Sequence, residues 1–407
     1  MAVVLAYTTP ALGHLFPFCA LLNELTARGH TVHIRTLASG VALCNQLGMD
    51  AAPVDPRIEA LQSDDWTTGN SLRVVARTVR MLTARARIEV VDIAGALAAV
   101  KPDVVLVDAN CWGAISAMET QRRPWLVFSP FVPYLDSPGS PPFGAGMAPM
   151  AGPVGRIRDR GVSLVTRFVF DQPFRDGMAP VRAALSLPPV SCAAQLLRRA
   201  PRLLVTTGKP FEYPHTDWGP SVHLIGPAVF DPPGPERPSW LNDIEGPIVL
   251  VTTSSVPQAD GALLGTAIRA LRDLPVHVVA TCPAGSALAR RSYRRVTVAE
   301  FVPHSMVLDR AVCVITHGGL GITQKALNRA IPVCAVPFGR DQFEVARRVE
   351  IAGCGTRLTA RRLSATRLRR KVTAAMTMTD GASAVAAGFA ATGGVHFGAD
   401  IVEGELA

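Results

Sequence analysis

The sequence predicts an α/β protein made of two doubly wound, parallel-sheet domains facing each other across a cleft. Three observations lead there. Apolar runs of strand length recur along the 407-residue chain and alternate with helical patterns, the order that gives parallel sheets covered on both faces. A chain of this length exceeds what one core usually supports. Between the two strand series lies a stretch dense in proline and turn residues, IGPAVFDPPGPERPSWLNDIEG, ending at Gly246.

Val3–Tyr7 is the first apolar run, and the loop from Thr8 to His14 follows it. In the next segment Phe18, Leu21, Leu22 and Leu25 fall at i, i+3, i+4 and i+7, one apolar helix face, with Pro17 in the first turn and Gly29 at the end. Thr31–Arg35 is the next strand, so the opening forms a βαβ unit and the sheet is parallel. No G-x-G-x-x-G follows the first strand, which excludes the dinucleotide fingerprint. His14 lies in the loop where the first strand ends, the place where open α/β sheets put their ligands.

Residues 72–99 read as a helix with Arg73, Arg77, Arg80 and Arg87 along an exposed side. Lys101-Pro102 breaks it, and the strand Asp103–Val107 runs into Asp108. A carboxylate at that strand end points into the ligand crevice, although a turn or cap duty is the competing reading. If it faces His14, the two make a base and its orienting partner. Trp125–Ser129 is a further strand, and the proline- and glycine-rich loop of residues 130–155 follows. Loops of that length inside a domain are usually functional, and Phe131, Tyr134, Phe143, Met147 and Met150 suit an apolar ligand. Residues 156–200 carry helical patterns before a strand at Arg202–Thr206.

The second series comprises IVLV after Pro247, VHVVA (276–280), VTVAEF (296–301), VCVI (312–315) and VCAV (333–336). Its centre is Phe301–Gly355, where a strand runs into His317-Gly318-Gly319 and a new helix. That layout presents free backbone N–H groups and a positive dipole end to a phosphate. The loop Thr252-Thr253-Ser254-Ser255 offers hydroxyls to the same crevice. Asp341 with Glu344 three residues on reads as a capping box at the start of a third helix, alongside any ligand contact.

The formal charge of +9 is spread evenly: Lys and Arg outnumber Asp and Glu by 21 to 17 in residues 1–225 and by 20 to 15 in residues 226–407. Aromatics are not interleaved with the basic residues, which argues against a nucleic-acid platform. Arg290–Arg295 and Arg361–Lys371 read as solvated helix faces, with peripheral attachment to an anionic membrane as the alternative. Eight cysteines stand singly, with no CxxC pair, as reduced core cysteines do. The first residues, MAVVLAYTTP, lack a basic n-region, so the expected location is cytoplasmic.

The patterns GHxxPxxxLxxxLxxRGHxV in one half and FVPH, THGG and the later DQ pair in the other resemble the family 1, UDP-glycosyltransferase-like enzymes of GT-B fold. Among these, the likeness is to actinobacterial enzymes acting on natural products or lipids. The resemblance implies an acceptor domain at 1–225, a linker at 226–246, a nucleotide-sugar domain at 247–380, and a segment at 381–407 returning to the first domain. It implies that His14 deprotonates the acceptor hydroxyl with Asp108 as partner. Phe301 would stack on the nucleobase and Val302 would meet its edge. His317, Ser255 and the backbone at Gly319, Gly321 and Ile322 would hold the diphosphate, and Asp341 and Gln342 the donor sugar. Lys325 stands where many relatives carry a ribose-binding glutamate, so dTDP- and UDP-sugars are both expected donors. Val345 stands where an asparagine is usual, and Ser254 where glycine is common.

Inverting transfer needs a base on one side of the anomeric carbon and stabilisation of a departing diphosphate on the other. With no DxD-type acidic cluster, the reaction is expected to need no metal and no cofactor beyond its nucleotide sugar. A binding protein without transferase activity and a sugar-nucleotide epimerase on the same fold are the alternatives.

Overall fold

The computed structural model describes residues 1–62, 71–233, 237–254, 260–281 and 295–406. Seven strands form the first sheet: β1 (Val3–Tyr7), β2 (Thr31–Thr36), β3 (Asp50–Pro53), β4 (Val104–Asp108), β5 (Trp125–Ser129), β6 (Arg202–Val205) and β7 (Val222–Leu224). Their order is β3-β2-β1-β4-β5-β6-β7, every pair parallel. The second sheet holds β8 (Ile248–Thr252), β9 (His277–Thr281), β10 (Val296–Ala299), β11 (Ala311–Thr316), β12 (Val333–Ala335) and β13 (Gly355–Arg357). Its order is β10-β9-β8-β11-β12-β13, again wholly parallel.

Alternate residues of each central strand enter opposite cores. Leu5 and Val105 face one side of the first sheet, and Val4, Ala6 and Leu106 the other. Leu250 and Val249 divide in the same way in the second sheet. Helices on both faces explain why these strands carry unbroken apolar runs. The strands absent from the sequence reading are β3, β7 and β13. They are short edge or near-edge strands, and DAAP, VHL and GTR carry too little apolar pattern to declare themselves.

In each sheet the strand order reverses next to its first strand, between β1 and β4 in one and between β8 and β11 in the other. Loops that leave the two strands of such a pair run in opposite directions and open a crevice at the strand ends. The loop after β1 carries His14, β4 ends in Asp108, and β11 runs into His317.

The domains are joined by a buried ionic latch. Arg348, on the helix Gln342–Ile351, donates to both carboxylate oxygens of Glu212 at 2.8 Å and to Glu344 Oε2 at 2.9 Å. All three side chains are nearly inaccessible, and the guanidinium lies 4.3 Å from the centre of the Tyr213 ring. Glu344 Oε1 accepts from the Gly144 and Gly146 amides at 2.9 and 2.8 Å, tying the long 130–155 loop to the second domain. Gly146 has φ +55°, and a Cβ there would come 2.2 Å from the Phe343 carbonyl oxygen, so this contact requires glycine.

The chain then returns. The helix Thr379–Ala391 buries Val385 and Phe389 in the second domain, and the helix Gly394–Gly404 buries Ala399 and Val402 in the first. By composition Thr379–Gly404 is apolar enough to cross a membrane. Gly393 and Gly394, both at positive φ, break it into two helices seated on different domains. Arg28 fastens the last helix through Glu24, Asp400 and Glu403 at 2.6 to 2.7 Å.

Breaking a buried ion pair strands a charge, whereas an accessible pair contributes little. Arg348→Ala is therefore expected to lower unfolding free energy by about 3–5 kcal/mol, and Arg28→Ala by about 1 kcal/mol or less. Urea titration of the two variants checks the contrast.

Candidate active site

On the first-domain wall, His14 Nδ1 lies 2.7 Å from Asp108 Oδ2. Asp108 is fully buried while the His14 side chain is 20% exposed, so the imidazole reaches the cleft and its partner does not. The other carboxylate oxygen of Asp108 accepts from the Asn110 amide at 2.8 Å. A carboxylate can only accept, which puts the His14 proton on Nδ1 and leaves Nε2 as the basic nitrogen. Phe131 lies beside the ring, with centroids 5.5 Å apart. Behind it stands an aromatic wall. Tyr134 accepts from Trp112 Nε1 at 3.0 Å and contacts Phe143 and Phe170. Of the loop residues proposed for an apolar ligand, Phe131 is mostly buried in this wall, Tyr134 and Phe143 are half-buried, and Met150 is exposed.

Two buried charges under this wall escaped the sequence reading. Arg85 and Glu89 lie on the helix Ser71–Val100, whose exposed side does carry Arg77, Arg80 and Arg87. Glu89 Oε2 accepts from the Gly113 amide at 2.8 Å, and burial pushes its carboxyl up to about 8. The available signal was positional: 85 and 89 fall on the same helix face as Leu82, Ala86 and Ile93, which is the core face.

On the second-domain wall, His317 Nδ1 and the hydroxyls of Thr252 and Thr253 are buried without a hydrogen-bond partner among the described residues. Burial holds the His317 pKa below its ordinary value, with nearby Asp260 opposing, so the ring is neutral near pH 7. Gly318, at φ +92°, turns the chain into the helix Leu320–Leu327, whose N-cap is Gly319. A Cβ at Gly319 would sit 2.7 Å from His317 Nε2, whereas Gly321 faces open space. The Gly321 and Ile322 amides belong to the helix's first turn, where N–H groups lack intrahelical partners. Ser255 lies outside the described residues. Ser254 is buried, and its amide donates to Asp260 at 2.6 Å.

Phe301 stands just past β10 and is 56% exposed, an aromatic face presented at a strand end, while neighbouring Val302 is buried. Asp341 opens the helix Gln342–Ile351 without a side-chain cap. The expected capping box is absent because Glu344 is taken by Arg348 and the Gly144 and Gly146 amides. Burial raises the Asp341 pKa, and His14, from the opposite wall, is the first influence that lowers it, so the two walls meet electrostatically. Gln342 is buried and its Oε1 holds the turn at Phe338 and Gly339, at 2.8 and 3.1 Å. Val345 is fully buried in the core and faces away from the cleft chemistry.

Lys325 has a partner that the sequence did not announce. Its ammonium bonds Asp231 Oδ1, from the linker, while Asp231 Oδ2 accepts from the Ser305 amide at 3.0 Å. His304, beside this pair, is pushed down to about 4 by burial and then by Lys325. A carboxylate therefore does stand in this corner, contributed by a residue 94 positions earlier.

The sequence family described as the erythromycin biosynthesis protein CIII-like C-terminal domain matches residues 266–394. Over 390 residues the chain is 31% identical to the 4'-demethylrebeccamycin synthase of Lentzea aerocolonigenes, covering 92% of each. The chain belongs to the family 1, UDP-glycosyltransferase-like enzymes of GT-B fold. As a fold, this glycosyltransferase superposes on the crystal structure of the kitacinnamycin glycotransferase with a TM-score of 0.76 at 21% identity, covering 100% of this chain and 99% of that one. The Streptomyces sp. SF2575 glycosyltransferase complexed with thymidine diphosphate gives 0.71 at 18% identity, over 99% of this chain and 100% of that one.

Glu89 sets a pH signature for this glycosyltransferase. Its folded pKa lies above the unfolded carboxylate value, so its contribution to stability is complete below the unfolded pKa and is lost as pH rises through about 8. Glu89→Gln should remove that loss: between pH 5 and 8 the wild type declines relative to the variant by up to about 1.4 kcal/mol per pH unit. Denaturant midpoints across this range measure it, and parallel curves would refute it. In turnover, His14→Ala and Asp108→Asn should each lower kcat by about 10²–10⁴ while nucleotide affinity, read by calorimetry, is retained.

Proposed function

We propose that this enzyme transfers a hexose or deoxyhexose, with inversion, from a dTDP-sugar to a hydroxyl of a hydrophobic natural product or lipid. The observation that carries the reading is the opposition of two unlike walls across one cleft. One holds the His14–Asp108 pair, and the other holds polar atoms of His317, Thr252 and Thr253 that lack a partner among the described residues, beside the N-terminus of the helix Leu320–Leu327.

The chemistry follows from these groups. His14 Nε2 takes the proton of the acceptor hydroxyl as its oxygen bonds the anomeric carbon. Asp108 stabilises the imidazolium that forms. The bond from the anomeric carbon to the diphosphate oxygen breaks on the opposite face, and the nucleoside diphosphate leaves with the electron pair. Neutral His317, the amides at Gly319, Gly321 and Ile322, and the helix dipole receive the developing charge. This reading needs no metal ion, so chelation with EDTA leaves the rate unchanged. Asp341 contacts the donor sugar, and Phe301 stacks on the base. Gln342 contributes chiefly by shaping the turn under the sugar, since its Oε1 is committed there. The aromatic wall of Phe131, Tyr134 and Trp112 fits a hydrophobic acceptor beside His14.

The preference for dTDP over UDP rests on Asp231. Each of its oxygens already accepts one bond, from Lys325 and from the Ser305 amide, and the ammonium offsets its charge. It is therefore a weakened acceptor for a ribose 2'-hydroxyl that UDP would bury without a full partner. A dTDP-bound relative of the same fold is consistent with that choice. Calorimetry should find dTDP binding about three- to tenfold tighter than UDP, the worth of one net hydrogen bond. UDP binding tighter than dTDP would reject the donor assignment. Product NMR starting from an α-linked donor tests the rest: a β-linked glycoside is expected, and an α-linked one would reject the single displacement at His14.

A further inference from the structure

At the outer edge of the second sheet, beyond β13, the fold encloses a concavity of about 580 Å³ lined by Arg347, Arg357, Arg362, Arg367, Arg370 and Lys371. None of these residues belongs to the cleft described above. Their convergence has a local cause. Ser364 caps the helix Ala365–Ala375, and positions 367, 370 and 371 are spaced i, i+3 and i+4, so three cations share one helix face. Arg362 reaches in from the preceding turn, and Arg347 and Arg357 close the far side.

Among the described residues the charge in this pocket is compensated only in part. Among the described lining residues Glu350 is the one carboxylate, and it pairs with Arg347 at 2.5 Å. Asp273 pairs with Arg369 of the same helix, which does not line the pocket. Arg357 Nε is buried without a hydrogen-bond partner among the described residues. Burial, and then the neighbouring Arg347, depress the Arg357 pKa. Like charges at i, i+3 and i+4 destabilise a helix unless an anion answers them.

A flat basic helix face would suit a membrane plane, but a concavity of this volume suits a nucleotide-sized ligand. We propose that this pocket binds a compact anion bearing two or more phosphate groups, either free in solution or as the headgroup of a phospholipid. Arginine is suited to that ligand because its planar fork grips phosphate oxygens in pairs.

The test uses the full chain without added nucleotide, because dTDP and UDP themselves carry two phosphates and would compete for the pocket. Arg362, Arg367 and Arg370 are exposed and are replaced together by glutamine. Arg347 and Arg357 also donate to the Gly146 carbonyl and are left alone. Sodium tripolyphosphate is titrated by calorimetry, and vesicles of phosphatidylcholine with or without a phosphatidylinositol bisphosphate are co-sedimented. The expected result is tripolyphosphate binding that weakens about tenfold or more in the triple variant, since each lost charge-assisted contact is worth that much. The tighter, cleft site for dTDP, measured separately, should keep its affinity, which shows that the cleft is intact. Vesicle binding that tripolyphosphate displaces identifies the lipid source, and tripolyphosphate binding without vesicle binding identifies the free anion. Failure of both probes to bind, or binding undiminished in the triple variant, overturns the proposal.

Discussion

The cleft exists because one guanidinium cannot leave its place. Arg348 is nearly inaccessible and satisfies Glu212 from one domain and Glu344 from its own. Separating the domains would expose two carboxylates to loss of their shared cation, or leave the cation in an apolar interior, and either is costly. Glu344 extends the constraint, since its second oxygen holds the Gly144 and Gly146 amides. The 130–155 loop, which carries Phe131 and Tyr134 of the first-domain wall, is therefore positioned by the second domain.

Topology explains why the cleft side chains stand where they do. Tyr7 pairs in register with Val107, so the chain leaves β1 and β4 side by side, and His14 and Asp108 come together although 94 residues separate them. Thr316 pairs with Thr252 in the same manner, which brings the His317 turn beside the Thr252–Ser254 loop. In both domains the loops flank the reversal in strand order, where backbone splays apart and side chains can enter.

The two walls place their histidines in different environments. His14 is partly exposed and hydrogen-bonded to a buried carboxylate that orients its ring. His317 is buried, a setting that keeps the imidazole neutral and able to donate without bringing its own charge. Asp341 lies between them, its ionisation opposed by burial and favoured by His14. A similar division appears at the linker, where Asp231 neutralises Lys325 and anchors the Ser305 amide.

Features with a local signature were legible in the sequence. The central strands announce themselves as unbroken apolar runs, the Gly318 turn as a glycine pair at a strand end, and His14 and Asp108 by position at strand termini. Edge strands such as β13 did not, because three residues are too few to carry a period. The roles of Glu344, Gln342 and Val345 depended on which neighbour arrived first. Glu344 answers Arg348 rather than its own helix end, Gln342 ties its turn, and Val345 lies in the core. The burial of Arg85 and Glu89 follows only once their helix packs against the helix Trp112–Met118 and β1. Sequence periodicity reports on contacts within a turn or two of chain. The partnerships of Arg348 with Glu212, 136 residues apart, and of Lys325 with Asp231, 94 apart, are set by the meeting of two domains, and only the tertiary structure decides them.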